Sequence, residues 1–219
     1  MQQEVKAVVF DMDGVIFDSE RLVIECWKVI ADRYGVPDIE EACRECLGVN
    51  STETRQRFLK RYGWDFPYDA YKSEMSRLYH DQYDGGRLPM KTGVTELLQY
   101  LKKTGLKVAL ASSTRSEIVV QELTDAGIIG FFDVVIGGDM VACSKPKPDI
   151  FLKACRELGA APEESFAIED SYNGIRAAAA GGLRPLMVPD LMPPTEEMET
   201  LSEKIFDNLS EVKAYISKQ

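Results

Sequence analysis

Histidine and an excess of positive charge are the two most obvious absences from this sequence of 219 residues. It has one histidine, His80, so most His-based catalysis and any His-rich metal site are excluded. Its 26 Lys and Arg residues are outnumbered by 36 Asp and Glu residues, which gives a formal net charge of −10 at pH 7. Because nucleic-acid backbones and anionic lipids are bound by clustered basic side chains, we expect neither as a partner.

Long apolar runs and regularly spaced cysteines are also lacking. No apolar run approaches the roughly 20 residues of a membrane span, and no basic segment followed by an apolar stretch indicates a signal peptide. The five cysteines, an odd number at irregular spacing, indicate reduced thiols. Cys43 and Cys46 have the CxxC spacing of metal and redox sites, but the chain has no second CxxC, so we interpret both as structural. We therefore expect a cytoplasmic protein.

The sequence contains an alternation of short apolar runs and helical patterns, which is typical of a parallel α/β sheet. Five runs are nearly continuous in apolar residues, as expected of strands covered on both faces, at residues 5–10, 107–111, 134–136, 166–168 and 186–188. Helical patterns separate them, at residues 93–104, 116–126, 149–158 and 173–180. We predict an α/β core with a Rossmann-like parallel sheet.

This alternation is interrupted between residues 19 and 87, where no strand pattern is found. Apolar and aromatic side chains recur there at helical spacing, and we interpret these stripes as helix core. We therefore predict two domains, a core of residues 1–16 and 90–219 and a small helical domain inserted at residues 17–89. Two linkers join the two domains, which suggests a hinge.

Polar side chains follow four of the predicted strands, at the edge where open parallel sheets bind ligands. They are carboxylates after the first and fourth strands, hydroxyls after the second and an amine in the loop after the third: Asp11, Asp13, Glu169, Asp170, Ser112, Thr114 and Lys145. Four acidic groups in one pocket need a counter-charge, which a hard divalent cation with oxygen ligands supplies. Mg2+ is the usual cation when the substrate carries phosphate.

The spacing of Asp11 and Asp13 suits phosphoryl transfer. If the Asp11 carboxylate attacks phosphorus, it becomes a covalent aspartyl-phosphate. A second carboxylate two residues on, past a tight turn, can protonate the leaving oxygen and later activate water. The Ser112 hydroxyl and the Lys145 ammonium group can bind the phosphoryl oxygens, where charge lies in the transition state.

In combination, these residues resemble the four motifs of the haloacid dehalogenase (HAD) superfamily. The segment Phe10-Asp11-Met12-Asp13-Gly14-Val15 is similar to the first motif, and Ser112, Lys145 and Glu169-Asp170 match the second, third and fourth in the same order. The resemblance covers essentially the whole chain and implies a HAD-like core. The helical insertion is similar to the cap of the subgroup that contains β-phosphoglucomutase, phosphoglycolate phosphatase and many sugar-phosphate phosphatases.

The resemblance implies a role for each matching residue. Asp11 is the implied nucleophile and Asp13 the implied general acid and base. The implied Mg2+ ligands are the Asp11 carboxylate, the Asp13 backbone carbonyl and Asp170, with Glu169 as a close acidic neighbour. The family's Lys-Pro pattern selects Lys145, rather than Lys147, as a phosphate ligand.

Several of these residues also have a purely structural alternative. An aspartate after a buried strand can simply form a turn, and Ser112 could be a helix cap. Thr114 lies at a predicted helix start, where anions are favoured, and we predict that it binds phosphate or contacts the hinge.

Two departures from the mutase pattern favour hydrolysis. β-Phosphoglucomutase has a cap histidine near the position of Val23 and a cap arginine near that of Ser51, and Arg55 or Arg57 would have to replace the arginine. Dehalogenases of this fold lack the second aspartate of the first motif, so the presence of Asp13 indicates that this chain does not catalyse dehalogenation. We predict a monomeric, Mg2+-dependent phosphatase of a small phosphorylated metabolite, such as a sugar phosphate. The alternatives are a sugar-phosphate mutase with the same nucleophile and, from another class, a non-catalytic binding protein.

Overall fold

The computed structural model describes residues 4–47, 49 and 51–219. Residues 1–3, on which the signal-peptide prediction partly rests, lie outside the described residues, as do residues 48 and 50 of the predicted insertion. The described residues form one six-stranded sheet from β1 (Ala7–Phe10), β2 (Lys107–Ala111), β3 (Val134–Ile136), β4 (Ser165–Glu169), β5 (Arg184–Met187) and β6 (Lys204–Ile205). The strands are all parallel, in the order β3-β2-β1-β4-β5-β6.

The α-helices of the described residues fall into two groups. Between β1 and the return to the sheet lie α1 (Ser19–Tyr34), α2 (Ile39–Arg44), α3 (Ser51–Tyr62) and α4 (Tyr68–Tyr83). The others are α5 (Val94–Thr104), α6 (Ser116–Asp125), α7 (Asp149–Leu158), α8 (Tyr172–Ala180), α9 (Glu196–Leu201) and α10 (Leu209–Ile216). Within residues 4–47, 49 and 51–219, no helix is both long and apolar enough to cross a bilayer.

The sheet has a helix layer on each face, which explains the nearly continuous apolar strands. In β1, Val8 and Phe10 pack into a cluster with residues of α5 and α10, whereas Ala7 and Val9 pack into a second cluster with residues of α7 and α8. All four side chains are fully buried. Because both faces of a central parallel strand are covered, alternation with polar residues is absent.

The predicted Rossmann-like α/β core is confirmed, and each of the five predicted strands is present with its ends shifted by at most two residues. The predictions missed β6 and the short helices α9 and α10. A strand of two residues is too short to give a pattern. The start of α10 was recognisable from Asn208, a residue type that favours the position before a helix. Its carboxamide oxygen accepts hydrogen bonds from the backbone N–H groups of Ser210 and Glu211. This is the arrangement of a helix N-cap.

The helices α1–α4 pack around aromatic side chains. The Trp27 ring lies 5.1 Å from that of Phe58 and 5.9 Å from that of Tyr68, measured between ring centroids. All three residues are buried, so the interpretation of these stripes as helix core is confirmed. The domain boundaries near residues 16 and 90 stay predictions.

The two cysteines of the CxxC segment are free thiols at the end of α2 and just after it. Burial raises the pKa of the Cys43 thiol to about 12 and that of Cys46 to about 11. Because the thiolate is the reactive and metal-binding form, thiols held protonated in this way are inert at neutral pH. This agrees with the structural interpretation.

Candidate active site

The polar residues predicted from strand ends meet at one edge of the sheet. Since β2, β1 and β4 are neighbours, Ser112, Asp11 and Glu169 lie side by side at their carboxyl ends. The Asp11 backbone N–H continues the ladder by donating to the Ile168 carbonyl at 2.9 Å. The structure therefore brings the residues from the first, second and fourth predicted motifs to one place.

Lys145, from the loop between β3 and α7, is inserted between two carboxylates. Its ammonium group lies 2.6 Å from Asp11 Oδ1 and 2.6 Å from Glu169 Oε1, and it donates to the Ala111 carbonyl at 3.1 Å. The Lys145 side chain is 4% exposed and that of Glu169 is fully buried. These three contacts hold the amine against the predicted nucleophile.

Burial and the neighbouring charges act on the pKa values of both Asp11 and Lys145. Burial raises the pKa of Asp11 to about 8; the Lys145 charge opposes this rise, while Glu169 and Asp13 add to it. Burial by itself would lower the pKa of Lys145, but the carboxylates of Asp11 and Glu169 outweigh it and raise that pKa above its usual value. The neighbouring carboxylates therefore favour the charged form of Lys145, and a further cation beside Asp11 would favour the ionised nucleophile.

The Asp13 carboxylate accepts hydrogen bonds from hydroxyl groups of the inserted helix α1 and of the loop after β2. Its Oδ1 accepts a hydrogen bond from Ser19 Oγ of α1 at 2.6 Å, and its Oδ2 accepts one from Thr114 Oγ1 at 3.0 Å. Ser112 Oγ lies 3.4 Å from the same Oδ2 and accepts from the Thr114 backbone N–H at 3.0 Å. In this arrangement Ser112 and Thr114 position the predicted acid and base, and their binding of phosphate stays a prediction.

Glu169 is a fully partnered carboxylate. Its Oε1 meets Lys145, and its Oε2 accepts from the backbone N–H groups of Asp170 and Ser171 at 3.1 Å each and from Ser171 Oγ at 3.0 Å. Both oxygens are therefore committed to protein donors. These contacts indicate that Glu169 orients Lys145 and the loop that follows β4, called the β4 loop below. The predicted contact of Glu169 with a metal stays a prediction.

Asp170 has the features of a cation ligand. It is 4% exposed, and its Oδ1 is buried with no hydrogen-bond partner among the described residues. Oxygens of Asp11, Glu169 and Asp170 all lie within 4.8 Å of one another. A buried carboxylate oxygen without a donor is costly unless a cation or a proton meets it, so the residues present fit a divalent metal ion.

Gly14, in the turn after Asp13, makes room for Asp170. Its φ is +77°, and a Cβ at this position would lie 2.4 Å from Asp170 Oδ2. Glycine is thus required here for its backbone conformation and for the close approach of the carboxylate.

Gly174 of α8 provides a test of the buried carboxylate arrangement. A Cβ at Gly174 would lie 1.8 Å from the Glu169 carboxyl group, so Gly174→Ala must displace Glu169 and with it Lys145. We expect a loss of stability of about 2 kcal/mol or more, as for overpacked cores, and a fall in activity. Urea denaturation measures the first, and Gly130→Ala, where a Cβ meets nothing within 4 Å, is the matched control. Equal unfolding midpoints for the two variants would contradict the expectation.

Three polar residues of the site were not predicted from the sequence. Ser19 binds Asp13, while Glu20 and Asp190 each place a carboxylate oxygen within 4.8 Å of one on Asp170. Asp190 follows β5 and could have been found by reading the residues after the fifth predicted strand as well as the first four. Ser19 and Glu20 gave no such signal, because they lie at the start of a helix of the inserted segment.

The insertion residues that bear on a mutase activity are occupied elsewhere. Val23 packs against the hydrophobic core. The Arg55 guanidinium donates to both carboxylate oxygens of Asp69, at 2.9–3.1 Å, and Arg57 forms an ion pair with Glu53. Arg55 and Arg57, the two possible replacements for the cap arginine of the mutase, are thus already paired with carboxylates of the inserted segment.

Comparison with known proteins gives consistent results. A family model described as haloacid dehalogenase-like hydrolase matches residues 8–188. The chain is 32% identical over 182 residues to the phosphorylated carbohydrates phosphatase of Thermotoga maritima, covering 81% of this chain and 82% of that protein. It is 32% identical over 184 residues to β-phosphoglucomutase of Bacillus subtilis, covering 81% and 80%. The crystal structure of CbbY from Rhodobacter sphaeroides in complex with phosphate has a TM-score of 0.78 at 29% identity and covers 95% of this chain and 96% of that one.

Proposed function

This chain belongs to the haloacid dehalogenase-like hydrolase family, and we propose that it is a Mg2+-dependent phosphatase that hydrolyses a small sugar phosphate through an aspartyl-phosphate at Asp11. The observation that carries the proposal is the Asp11–Lys145 contact of 2.6 Å beside an Asp13 carboxylate held by hydroxyls. These are a nucleophile, a cation for the phosphoryl oxygens and an acid/base on one edge of the sheet. The similarity to a phosphorylated carbohydrates phosphatase supports the sugar-phosphate class.

In the proposed reaction Asp11 attacks phosphorus, the bond to the leaving oxygen breaks, and the phosphoryl group is transferred to the carboxylate. Lys145 stays protonated and holds Asp11 in place, and its charge faces the oxygens on which negative charge lies. Asp13 in its protonated form gives a proton to the leaving alcohol. As a carboxylate it then takes a proton from the water that attacks phosphorus, while the bond between phosphorus and the Asp11 oxygen breaks. Inorganic phosphate leaves, Asp11 is again a carboxylate and Asp13 is again protonated.

The proposed metal ligands are the Asp11 carboxylate, the Asp13 backbone carbonyl and Asp170. When bound, Mg2+ supplies positive charge that neutralises the phosphoryl oxygens. The buried, unpartnered Oδ1 of Asp170 supports this assignment. Glu169 contributes by orienting Lys145 and the backbone of the β4 loop.

We expect phosphate release to stop in excess chelator and to return when Mg2+ is restored. Asp170→Asn removes one charged ligand from a cation that has few protein ligands, so it should weaken Mg2+ binding by about ten-fold or more. Release of inorganic phosphate from p-nitrophenyl phosphate, titrated with Mg2+, measures both effects. Full activity of the wild-type protein in excess chelator would contradict the metal requirement.

A sugar-phosphate mutase is the second candidate, because the chain is 32% identical to a β-phosphoglucomutase. A mutase must protect the aspartyl-phosphate from water and anchor a second group of its substrate. Val23 cannot relay a proton, and Arg55 and Arg57 are each paired with a carboxylate of the inserted segment. We therefore propose that water receives the phosphoryl group.

The product ratio from β-glucose 1-phosphate separates the two candidates. With a catalytic amount of the sugar bisphosphate primer present, we expect inorganic phosphate as the main product and little glucose 6-phosphate. Glucose 6-phosphate formed faster than inorganic phosphate would reverse this ranking. A panel of hexose 1- and 6-phosphates and phosphoglycolate, scored by released phosphate, then identifies the preferred substrate, and no release from any member would contradict the phosphatase proposal.

A further inference from the structure

Three carboxylates from distant parts of the chain form a cluster beside the nucleophile. Glu20 lies in the first turn of α1, Asp170 follows β4 and Asp190 follows β5. One carboxylate oxygen from each lies within 4.8 Å of the other two. Like charges this close repel one another, so the arrangement needs a counter-charge.

Two of these three carboxylates each have one oxygen that is buried without a donor. Asp170 Oδ1 and Asp190 Oδ2 find no hydrogen-bond partner among the described residues. Asp170 is 4% exposed, and the Asp190 side chain is 7% exposed. The proposed role of Asp170 accounts for its own oxygen, but the Asp190 oxygen is a separate and independent observation. Buried carboxylate oxygens in native proteins are nearly always met by a donor or a cation.

The protein's own cations do not balance this cluster. Lys91 Nζ lies 2.5 Å from Asp190 Oδ1 and is the one lysine or arginine in the described part of the chain seen to contact these three carboxylates. By contrast, Asp11 and Glu169 share Lys145. The cluster therefore has a surplus of negative charge that matches a divalent cation.

The size of the cluster also fits such an ion. At about 2.1 Å per Mg–O contact, opposite ligands of an octahedral Mg2+ are about 4.2 Å apart. Oxygens within 4.8 Å of one another therefore need only small side-chain rotations to reach one ion, and a retained water could fill any remaining gap.

We propose that Glu20 and Asp190 are further ligands of the divalent cation held by Asp170, so that the first helix of the inserted segment binds the metal together with the β4 and β5 loops. The part that concerns catalysis rests on the proposed function; the binding of the ion does not. Because Glu20 lies in α1 and the other two ligands lie in the loops after β4 and β5, an ion bound by all three links the inserted helices to the core.

Metal binding to the full-length protein, measured by calorimetry with Mg2+ and with Mn2+, tests this inference without any substrate. Glu20→Gln and Asp190→Asn keep the shape of each side chain and remove its charge. We expect each to raise the Kd by about ten-fold or more, the order found when groups that support a metal site are removed. Glu25→Gln, an exposed position on the same helix, is the matched control and should keep the wild-type Kd.

A thermal-shift series with added metal gives a second readout. The rise in Tm that metal produces in the wild type should be reduced in Glu20→Gln and Asp190→Asn and retained in Glu25→Gln. If Asp190→Asn fails to fold because it loses the Lys91 contact, the Kd of Glu20→Gln decides the question. An unchanged Kd in Glu20→Gln overturns the inference even if the enzyme is an active phosphatase. Weakened metal binding in a protein that hydrolyses no phosphate ester supports the inference and contradicts the proposed function.

Discussion

Replacing Asp11 with asparagine is expected to lower kcat for phosphate release by about 10^4-fold or more, the order of loss seen when other hydrolases lose their nucleophile. The amide is nearly the same shape as the carboxylate but a very poor nucleophile toward phosphorus. Its carbonyl oxygen can still accept the hydrogen bond that Lys145 donates at 2.6 Å. The variant should therefore keep the geometry of the site and lose the nucleophile.

The control for Asp11→Asn is Asp32→Asn, the same chemical change at an exposed position of α1. Phosphate release at saturating substrate, with circular dichroism to confirm folding, is the measurement. Wild-type turnover in a folded Asp11→Asn variant would show that Asp11 is not the nucleophile. Acid-stable labelling of a different residue by a phosphorylated substrate would lead to the same conclusion.

The second large effect is expected from Lys145→Met, which removes the cation between Asp11 and Glu169. The methionine has a similar length but leaves two buried carboxylates without their shared counter-charge. Breaking a buried ion pair by removing one partner costs about 3–5 kcal/mol, and we expect a loss of this size in the free energy of unfolding. Activity should fall as well, since the phosphoryl oxygens lose their nearest fixed cation.

Lys147→Met is the matched control, because Lys147 is exposed and only two residues away. Urea denaturation of both variants in metal-free buffer isolates the contribution of the ion pair to stability. We expect the Lys147→Met midpoint to stay close to that of the wild type. A Lys145→Met variant as stable as Lys147→Met would mean that the buried contacts at 2.6 Å contribute little to folding.

The sequence carried enough local information to locate much of the candidate site. Asp11 and Ser112 directly follow buried strands and Glu169 is the last residue of one, and the ends of neighbouring parallel strands must share one edge. The same rule, extended to the strand at residues 184–187, would have found Asp190. Glu20 could not be found in this way, because a glutamate in the first turn of a helix is ordinarily explained by the helix dipole.

The hydrogen-bond partners of Thr114 and Glu169 could not be predicted from their positions along the chain. Thr114 was predicted as a phosphate ligand or hinge contact from its place at a helix start, and the structure directs its hydroxyl to Asp13. Glu169 was predicted as a neighbour of the metal, and the structure commits both of its oxygens to Lys145 and to the β4 loop. Hydrogen-bond partners depend on distances of a few tenths of an ångström, which a spacing along the chain does not contain.

The amino-acid sequence by itself determined the α/β class, the five principal strands, the helical insertion and the convergence of the polar groups at one sheet edge. Strand and helix periodicity and strand-end position are local properties, so they can be read without coordinates. Only the tertiary structure decided that Lys145 lies between Asp11 and Glu169, and that Glu20 and Asp190 meet at Asp170. These residues are far apart along the chain. Their separations, their burial and the pKa shift of Asp11 arise from the packing of whole elements against one another, which brings charges together in a region from which water is excluded.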